Sequence, residues 1–199
     1  MKKLFLLLIL FLGIFSDLRA EKVDPSASSY ELREKSKFRT DVFDFSGAYP
    51  NLENIDIDAR RKKRVEMLLT GDYPLLEKVN YEGSFGNMIG KFTGSFPKLT
   101  LVNFLSSSAA MEIDLTGEWK QSCEINVRGS TGNISLTLPK DVGVIVHTKT
   151  GTSGKVVNNG LTKKGWGWTN KTFVNEEFSK APVQLTVNVE VTKAKITLK

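Results

Sequence analysis

The sequence predicts a mainly β protein built as a stack of short strands. Two observations support this class. From about Val79 to Lys199, apolar residues alternate with polar ones in short runs, the period of a half-buried strand. Clusters of small residues also recur at a nearly constant offset through the same region, which is typical of a repeat architecture.

The alternating runs give the predicted strands in order. Their apolar positions are Met111, Ile113 and Leu115; Cys123, Ile125 and Val127; Ile134, Leu136 and Leu138; Val142, Val144 and Val146; Leu185, Val187, Val189 and Val191; and Ile196 and Leu198. Each run ends at Gly, Pro, Asn or Lys.

The small-residue clusters read "GSFGNM" from Gly83, "GSTGNI" from Gly129 and "GTSGKV" from Gly151, and "SSSAAM" from Ser106 has the same shape. Successive copies are offset by 23, 23 and 22 residues. Small residues at a fixed phase allow close backbone approach or a positive φ where stacked strands bend. The sequence therefore predicts stacked pairs of strands sharing one interior. The predicted structural repeat positions are Gly83, Gly86, Gly129, Gly132, Gly151 and Gly154.

Residues 1–20 are predicted to form a signal peptide. Lys2 and Lys3 precede an apolar run from Leu4 to Phe15, which is too short to cross a bilayer but suits a signal-peptide core. Cleavage is expected after Ala20, and retention of the leader as a short anchor is the alternative. The chain is therefore expected to be exported, periplasmic or secreted.

The segment between the leader and the β domain is predicted in two parts. Residues 21–54 are polar at their start and are expected to be a linker or irregular. Residues 55–78 are expected to be helical: Asp58 caps a first helix with Val65, Leu68 and Leu69 as its apolar stripe, and "GDYPLLEKV" forms a short second helix. Residues 79–199 are expected to form the β domain of stacked strands. The basic run from Arg60 to Arg64 is interpreted as a solvated helix face, and contact with anionic lipid or envelope polymer is the alternative.

Composition narrows the function classes. The formal net charge is +6, and removing residues 1–20 takes away three basic residues and one acidic residue, leaving +4. This excess is too small to indicate nucleic-acid binding. Cys123 is the single cysteine and His147 the single histidine, so neither an internal disulfide nor a histidine-rich zinc site is expected. A Cys-His nucleophilic pair is possible in principle. Both residues lie in alternating runs, however, which indicates that each is either a core residue or a residue on the surface of a strand. No metal and no cofactor are expected.

Four segments, in this order, carry a resemblance to a known family: "YEGSFGNMIGKFTGSFPKL", "MEIDLTGEW", "STGNISLTLPKDVGVIV" and "WTNKTF" with "VQLTVNVEVTKAKITL". Together they resemble the bacterial toast-rack domain, which is related to the C-terminal domain of LiaF-type cell-wall-active antibiotic response proteins. The resemblance covers roughly Tyr81 to Lys199. It implies a short, single-stranded, right-handed β-solenoid, and it supplies no catalytic residues. The chain differs from LiaF-type proteins in having only an export leader where they have membrane helices, and "TKAK" stands where a glycine-containing turn is expected.

Two functions from different classes follow. The first is an exported, non-catalytic envelope protein whose solenoid surface contacts an envelope protein, a polymer or a membrane surface, with a link to envelope stress as a further possibility. The alternative is a polysaccharide hydrolase or lyase, which would need paired carboxylates in a groove. Glu112 and Asp114 share one predicted strand face and Glu118 follows a turn, but solvent-facing alternation is the preferred explanation of all three.

Aromatic and basic residues concentrate in "LTKKGWGWTNKTF", from Leu161 to Phe173. Its predicted interaction surface consists of Trp166, Trp168, Lys163, Lys164 and Lys171. Such a ridge could stack on sugar rings or lie at a lipid head-group boundary. The alternative is that the aromatic rings cover an end of the coil. Between the two tryptophans, Trp168 is expected to be structural and Trp166 to be the contact residue.

Overall fold

The computed structural model describes residues 18–33, 40–165 and 167–199. Within them the protein is mainly β, with almost no helix. The strands are, in chain order, β1 (Leu18–Lys22), β2 (Ser29–Arg33), β3 (Thr40–Asp44), β4 (Asn54–Ala59), β5 (Arg64–Leu69), β6 (Lys78–Gly83), β7 (Asn87–Phe92), β8 (Ser95–Phe96), β9 (Leu101–Ser106), β10 (Ala110–Asp114), β11 (Glu118–Trp119), β12 (Cys123–Gly129), β13 (Ile134–Thr137), β14 (Gly143–Thr150), β15 (Lys155–Asn158), β16 (Thr162–Lys164), β17 (Asn170–Val174), β18 (Gln184–Val191) and β19 (Lys195–Leu198). A single 3-10 turn covers Glu176–Ser179 in the described part of the chain, where no helix is long and apolar enough to cross a membrane.

The strands form two long sheets and one short one. Sheet A has the order β1-β3-β5-β7-β10-β13-β19-β15, and sheet B has the order β16-β17-β14-β18-β12-β9-β6-β4-β2. β8 and β11 pair separately at a corner. Except for β16 and β17, the paired strands are parallel. The chain therefore alternates between sheet B and sheet A, and from β2 to β13 each turn of the coil lies on the previous one, as in a β-solenoid.

The strand register gives the period of the coil. On sheet B, Ile55 pairs with Val79, Val79 with Val102 and Val102 with Ile125, which are steps of 24, 23 and 23 residues. The inward-facing positions are buried along each strand, because alternate side chains of a strand point to the same face. The sequence repeat and the structural coil therefore have nearly the same length.

The small-residue clusters lie at the turn between sheet B and sheet A. Gly83, Ser106 and Gly129 are directly in register on neighbouring strands. The cluster that begins at Gly151 is not the next in line, because β18 lies between β12 and β14 and β19 lies between β13 and β15. Val191 pairs with both Gly129 and Thr150. The last coil of the chain is thus inserted between two earlier coils, and "TKAK" forms its turn.

The turn glycines have different local surroundings. Gly86 has a φ of +90°. A Cβ added at Gly132 would lie 1.8 Å from the Ala109 carbonyl oxygen, so a side chain there needs the neighbouring coil to move. At Gly151 the same Cβ would lie 2.3 Å from the Thr192 carbonyl oxygen. A Cβ at Gly129 would make only ordinary contacts, and those at Gly83 and Gly154 would meet side-chain atoms first.

A column of aromatic rings fills the corner of the coil. Tyr49, Tyr73, Phe96 and Trp119 occupy this column at successive coils, with ring centroids 5.7, 5.4 and 5.1 Å apart. A glycine lies two residues before each ring, at Gly47, Gly71, Gly94 and Gly117. A Cβ at Gly71 would meet the Gly47 carbonyl oxygen at 1.7 Å. The absence of a side chain at this position lets successive coils approach closely at the corner.

The predicted helices at residues 55–78 are wrong. This region contains β4, β5 and the corner at Tyr73. In β5 the buried residues are Val65, Met67 and Leu69, which follow a period of two, whereas Leu68 faces outward and is half-buried. Pairing of β4 with β6 and of β5 with β7 satisfies the backbone and buries the alternate side chains. This tertiary arrangement outweighs the local helical pattern.

The predicted linker at residues 21–54 also differs from the structure. It contains β2 and β3, and Phe43, Phe45, Tyr49 and Leu52 are fully buried in the core. The β stack therefore begins well before Val79. Residues 1–17 of the predicted signal peptide lie outside the described residues, and the expected cleavage point after Ala20 falls within β1.

The basic run from Arg60 to Arg64 is a turn between β4 and β5 that continues into β5. Lys62 points inward and its side chain is almost fully buried. Its Nζ lies 2.5 Å from Oδ2 of Asp41, which is also buried. Removing one member of such a pair leaves an uncompensated buried charge, so Lys62 belongs to the structural core.

Candidate interaction surfaces

The predicted aromatic-basic segment forms a β-hairpin at the edge of sheet B. β16 and β17 pair antiparallel, with Lys163 opposite Phe173 and Lys164 opposite Thr172. β17 in turn pairs antiparallel with β14. The tip between the two strands contains Gly165, with a φ of +71°, and Gly167, where a Cβ would lie 2.0 Å from the Asn170 carbonyl oxygen. Both glycines are therefore required by the shape of the tip.

The two described aromatic residues of this hairpin have opposite environments. Phe173 is 4% exposed and packs into the core cluster. Trp168 is 97% exposed. The expectation that Trp168 is structural is therefore wrong, because its ring covers no end of the coil. Phe173 provides the apolar anchor instead.

The other predicted contact residues lie around the same tip. Lys163 and Lys164 are exposed and Lys171 is half-buried. Trp166 lies outside the described residues. The hairpin therefore presents one fully exposed aromatic ring together with two exposed ammonium groups.

Two buried threonines hold the hairpin to β14. Thr148 Oγ1 donates a hydrogen bond to the Lys171 carbonyl at 3.2 Å, and the Thr150 backbone N–H donates to the Thr169 carbonyl at 2.9 Å. Both threonine side chains are buried. Together with Phe173, these contacts fix the base of the hairpin while the tip stays in solvent.

A ladder of amide side chains runs across the outer face of sheet B. Asn80 donates to Asp56 at 2.5 Å, Asn103 to Asn80 at 2.9 Å, Asn126 to Asn103 at 3.1 Å and Asn188 to Asn126 at 2.9 Å. The four asparagines occupy one register position on neighbouring strands. Asn80, Asn103 and Asn126 each donate to one neighbour and accept from the other, and Asn188 donates to both Asn126 and Glu124, so the ladder stiffens the face that it crosses.

Charged residues flank the amide ladder unevenly. Near β2 and β4 the outer face carries Glu31, Asp56 and Asp58. Near β14 and the hairpin, a cleft of about 590 Å³ is lined by the cationic side chains of Lys149, Lys164 and Lys171 among others. Glu190 lies beside this end, and its Oε1 accepts from Lys149 Nζ at 2.6 Å. That hydrogen bond lowers the pKa of the Glu190 carboxyl.

The carboxylates proposed for polysaccharide chemistry do not converge on one groove. Glu112 is exposed and Asp114 is half-buried on the outer side of β10. Asp114 Oδ1 accepts from the backbone and hydroxyl of Thr116, at 3.0 and 2.7 Å, which is a turn-forming role. Glu118 lies on β11 at the corner, where its Oε1 is 3.3 Å from Lys120 Nζ. The structure therefore gives Asp114 and Glu118 local partners.

Cys123 and His147 lie on opposite faces of sheet B. Cys123 is buried, and burial, with a smaller contribution from Glu124, raises the pKa of its thiol to about 12. His147 is exposed, and its Nδ1 lies 3.1 Å from Thr172 Oγ1. The two side chains do not form a nucleophilic pair. In the described part of the chain, no three His, Cys, Asp or Glu side chains are grouped so that they could hold a metal ion.

Sequence reasoning missed the amide ladder and the aromatic corner. The corner had a clear signal, since Gly-x-aromatic recurs at Gly47, Gly71, Gly94 and Gly117 at steps of 24, 23 and 23 residues. The ladder was visible only as single Asp or Asn residues at Asp56, Asn80, Asn103 and Asn126, with the same steps.

Comparisons with known proteins show the fold alone. No family model matches the chain, and no curated protein matches it. A crystal structure of a proposed cell adhesion protein from Clostridium sporogenes is similar, with a TM-score of 0.51 and 21% identity over 68% of this chain. The matched part of this chain spans about half of that protein's own length (55%).

Proposed function

We propose that this chain is an exported, non-catalytic envelope protein that uses the tip of the β16–β17 hairpin to contact a polymer, a protein or a membrane surface of the envelope. The observation that carries the proposal is the 97% exposure of Trp168. Tryptophan is enriched at interfaces, where its ring is buried against a partner and its N–H finds a hydrogen-bond acceptor.

The arrangement of the hairpin supports the same proposal. Lys163 and Lys164 are exposed on β16 of the same hairpin and attract anionic groups, which envelope polymers and lipid head groups both carry. The base of the hairpin is fixed by Phe173 and by the Thr148 hydrogen bond, so binding at the tip costs little ordering of the rest of the chain.

Membership of the toast-rack family and export belong to this proposal. The parallel coil of about 23 residues supports the family, with the chain as a right-handed, single-stranded solenoid. The similar Clostridium sporogenes structure, named for cell adhesion, supports a role at the cell surface. A leader cleaved after Ala20 would deliver the chain to that location.

Retention by envelope fractions tests the proposal. The mature chain is mixed with whole native envelope, with protein-free cell-wall polymer and with anionic lipid vesicles, and the bound fraction is measured after sedimentation. We expect the parent to be retained and Trp168→Ala to lose most of its retention. Phe85→Ala is the matched control, because Phe85 is also an exposed aromatic residue but lies at the turn before β7.

The fractions also separate the kinds of partner. Retention by polymer alone, or by vesicles alone, assigns the contact to that component. Retention by whole envelope but by neither fraction assigns it to an envelope protein. A parent that is not retained by any preparation, or a Trp168→Ala variant retained as well as the parent, contradicts the proposal.

A further inference from the structure

The middle one of the seven parallel strands that run from β14 to β2 in sheet B, β9, carries two outward-facing leucines on a polar face. β9 turns Leu101, Asn103 and Leu105 outward, and Leu105 is 47% exposed. Asn103 belongs to the amide ladder. An apolar residue on each side of a hydrogen-bonded amide gives this face an apolar centre, which is how the core of an interface differs from its rim.

The charges on either side of β9 form an alternating pattern. Leu101 lies between Lys78 of β6 and Glu124 of β12, in direct register. Leu105 lies between Glu82 of β6 and Arg128 of β12. The sign therefore changes both across β9 and along each neighbouring strand.

We infer that this face, centred on β9, binds a second copy of the chain in a face-to-face twofold dimer. In an isologous interface each patch meets its own copy, so the patch must be complementary to itself. About a twofold axis along β9, the leucines meet each other, Glu82 meets Arg128 of the second copy and Lys78 meets Glu124 of the second copy. About an axis along the stacking direction, Leu101 meets Leu105, Lys78 meets Glu82 and Glu124 meets Arg128. Both arrangements pair unlike charges on the two strands beside β9. An axis along β9 also brings Asp58 opposite Glu190 of the second copy, so the charges favour the axis along the stack.

The contacts within one chain leave these charges accessible. Glu82 Oε1 is 3.8 Å from Arg60 Nη1, and Arg128 Nε is 4.0 Å from Glu190 Oε2, at the outer limit of an ion pair. Surface pairs of this kind contribute little to folding. The same groups are therefore available to a facing copy, where partial removal from water strengthens them.

The size of the face suits a dimer. The seven strands from β2 to β14 are separated by six spacings, roughly 29 Å in total, and a six-residue strand is roughly 20 Å long. This face approaches the roughly 800 Å² per partner of a standard interface. The β16–β17 hairpin of each copy lies beyond the edge of this face. The two hairpin tips would lie at opposite ends of the dimer for an axis along β9, and on opposite sides of the shared face for an axis along the stack.

Sedimentation equilibrium of the purified chain tests the inference without any envelope component. We expect the parent to be in a monomer–dimer equilibrium. Glu82→Lys and Leu105→Glu should each raise the dimer dissociation constant at least about tenfold, because they place like charges or a buried carboxylate in the interface. Glu112→Lys, an equivalent reversal on the outer face of sheet A, is the control and should leave the constant unchanged.

Compensating reversals identify the axis. Glu82→Lys combined with Arg128→Glu restores the dimer if the axis runs along β9, and Lys78→Glu combined with Glu82→Lys restores it if the axis runs along the stack. A parent that is monomeric at all accessible concentrations overturns the inference. So does dimerisation that Glu82→Lys and Leu105→Glu leave unchanged, or that neither double variant restores. Failure of this dimer leaves envelope retention by the hairpin unaffected, so the two proposals are tested separately.

Discussion

The rings of Tyr73 and Phe96 lie 5.4 Å apart and within 4° of parallel. Asp72 and Ser95, one residue earlier in each coil, form a parallel bridge that sets this alignment. Both rings are fully buried. Because an aromatic pair of this kind adds about 0.5–1.5 kcal/mol beyond the area that it buries, the column stabilises the corner at every coil.

Removing one ring from this column should destabilise the whole stack. We expect Phe96→Ala to lower the free energy of unfolding by about 3–5 kcal/mol, since a large buried side chain leaves a cavity that parallel coils cannot easily close. Phe85→Ala is the control, because Phe85 is 65% exposed, and should change the free energy little. Chemical denaturation of both variants measures the difference. Equal midpoints would contradict a structural role for the column.

A side chain at Gly132 should separate two neighbouring coils. The Ala109 carbonyl oxygen occupies the space that a Cβ would need, so Gly132→Val is expected to cost about 1–3 kcal/mol or more. Thr131→Val places the same side chain at the exposed neighbouring position and should have little effect. Thermal unfolding measures the melting temperatures of the two variants. Similar small shifts of both melting temperatures would contradict a close approach of the two coils at Gly132.

Burial of Cys123 predicts that its thiol reacts slowly with alkylating reagents and that the stability of the folded chain depends on pH. At pH 8 its thiol, with a pKa of about 12, stays protonated in the folded chain, so iodoacetamide should label the unfolded chain far faster than the native one. The folded chain holds this proton more tightly than the unfolded chain, whose thiol titrates near pH 9. The contribution to stability is therefore complete below pH 9 and falls as pH rises from 9 to 12.

The variant Cys123→Ala isolates that contribution. Its stability should decline less than that of the parent between pH 9 and pH 10, since tyrosines, which also begin to titrate there, are the same in both chains. Rapid alkylation of the native parent at pH 8, or identical pH profiles of parent and variant, would show that the thiol is not buried in solution.

Export predicts a processed N-terminus. Mass spectrometry of the chain isolated from its native cells should give a mature form that begins near Glu21. Cleavage there removes the first residues of β1, so β3 would become the last complete strand at that end of sheet A. Intact Met1 on cytoplasmic protein would contradict export.

The strands after residue 79 could be predicted because their apolar and polar residues alternate locally. In β12, for example, Cys123, Ile125 and Val127 are buried at every second position. The first half could not be predicted in the same way. In "RVEMLL" the apolar residues fit a period of two or a helical stripe equally, and only the neighbouring strands decide between them.

The insertion of β18 and β19 between earlier coils had no sequence signal. A repeat indicates that coils stack, but their spatial order depends on which edge each coil joins. Val191 pairs with Gly129, 62 residues earlier, and with Thr150. The hairpin explains this order in part, because β17 covers the far side of β14 and leaves the side facing β12 for β18.

The predicted contact segment forms an exposed hairpin, but the structural role expected of Trp168 is wrong. "Trp-Thr-Asn-Lys-Thr-Phe" contains two large aromatic residues, and composition does not distinguish the buried one from the exposed one. The register does: Phe173 pairs with Val146 on the inward side of β14, whereas Trp168 lies in the tip between the two strands.

The fluorescence of Trp168 tests the central claim most directly. In a variant with Trp166→Phe, the remaining tryptophans are Trp119, which is buried, and Trp168, which is fully exposed. On addition of native envelope we expect the exposed component to shift to shorter wavelength and to become protected from iodide quenching, with the Trp119 component unchanged. Adding Trp168→Ala to this variant should abolish both effects at an unchanged melting temperature. Envelope binding with Trp168 still red-shifted and fully quenched by iodide would contradict the claim that the hairpin tip is the contact site.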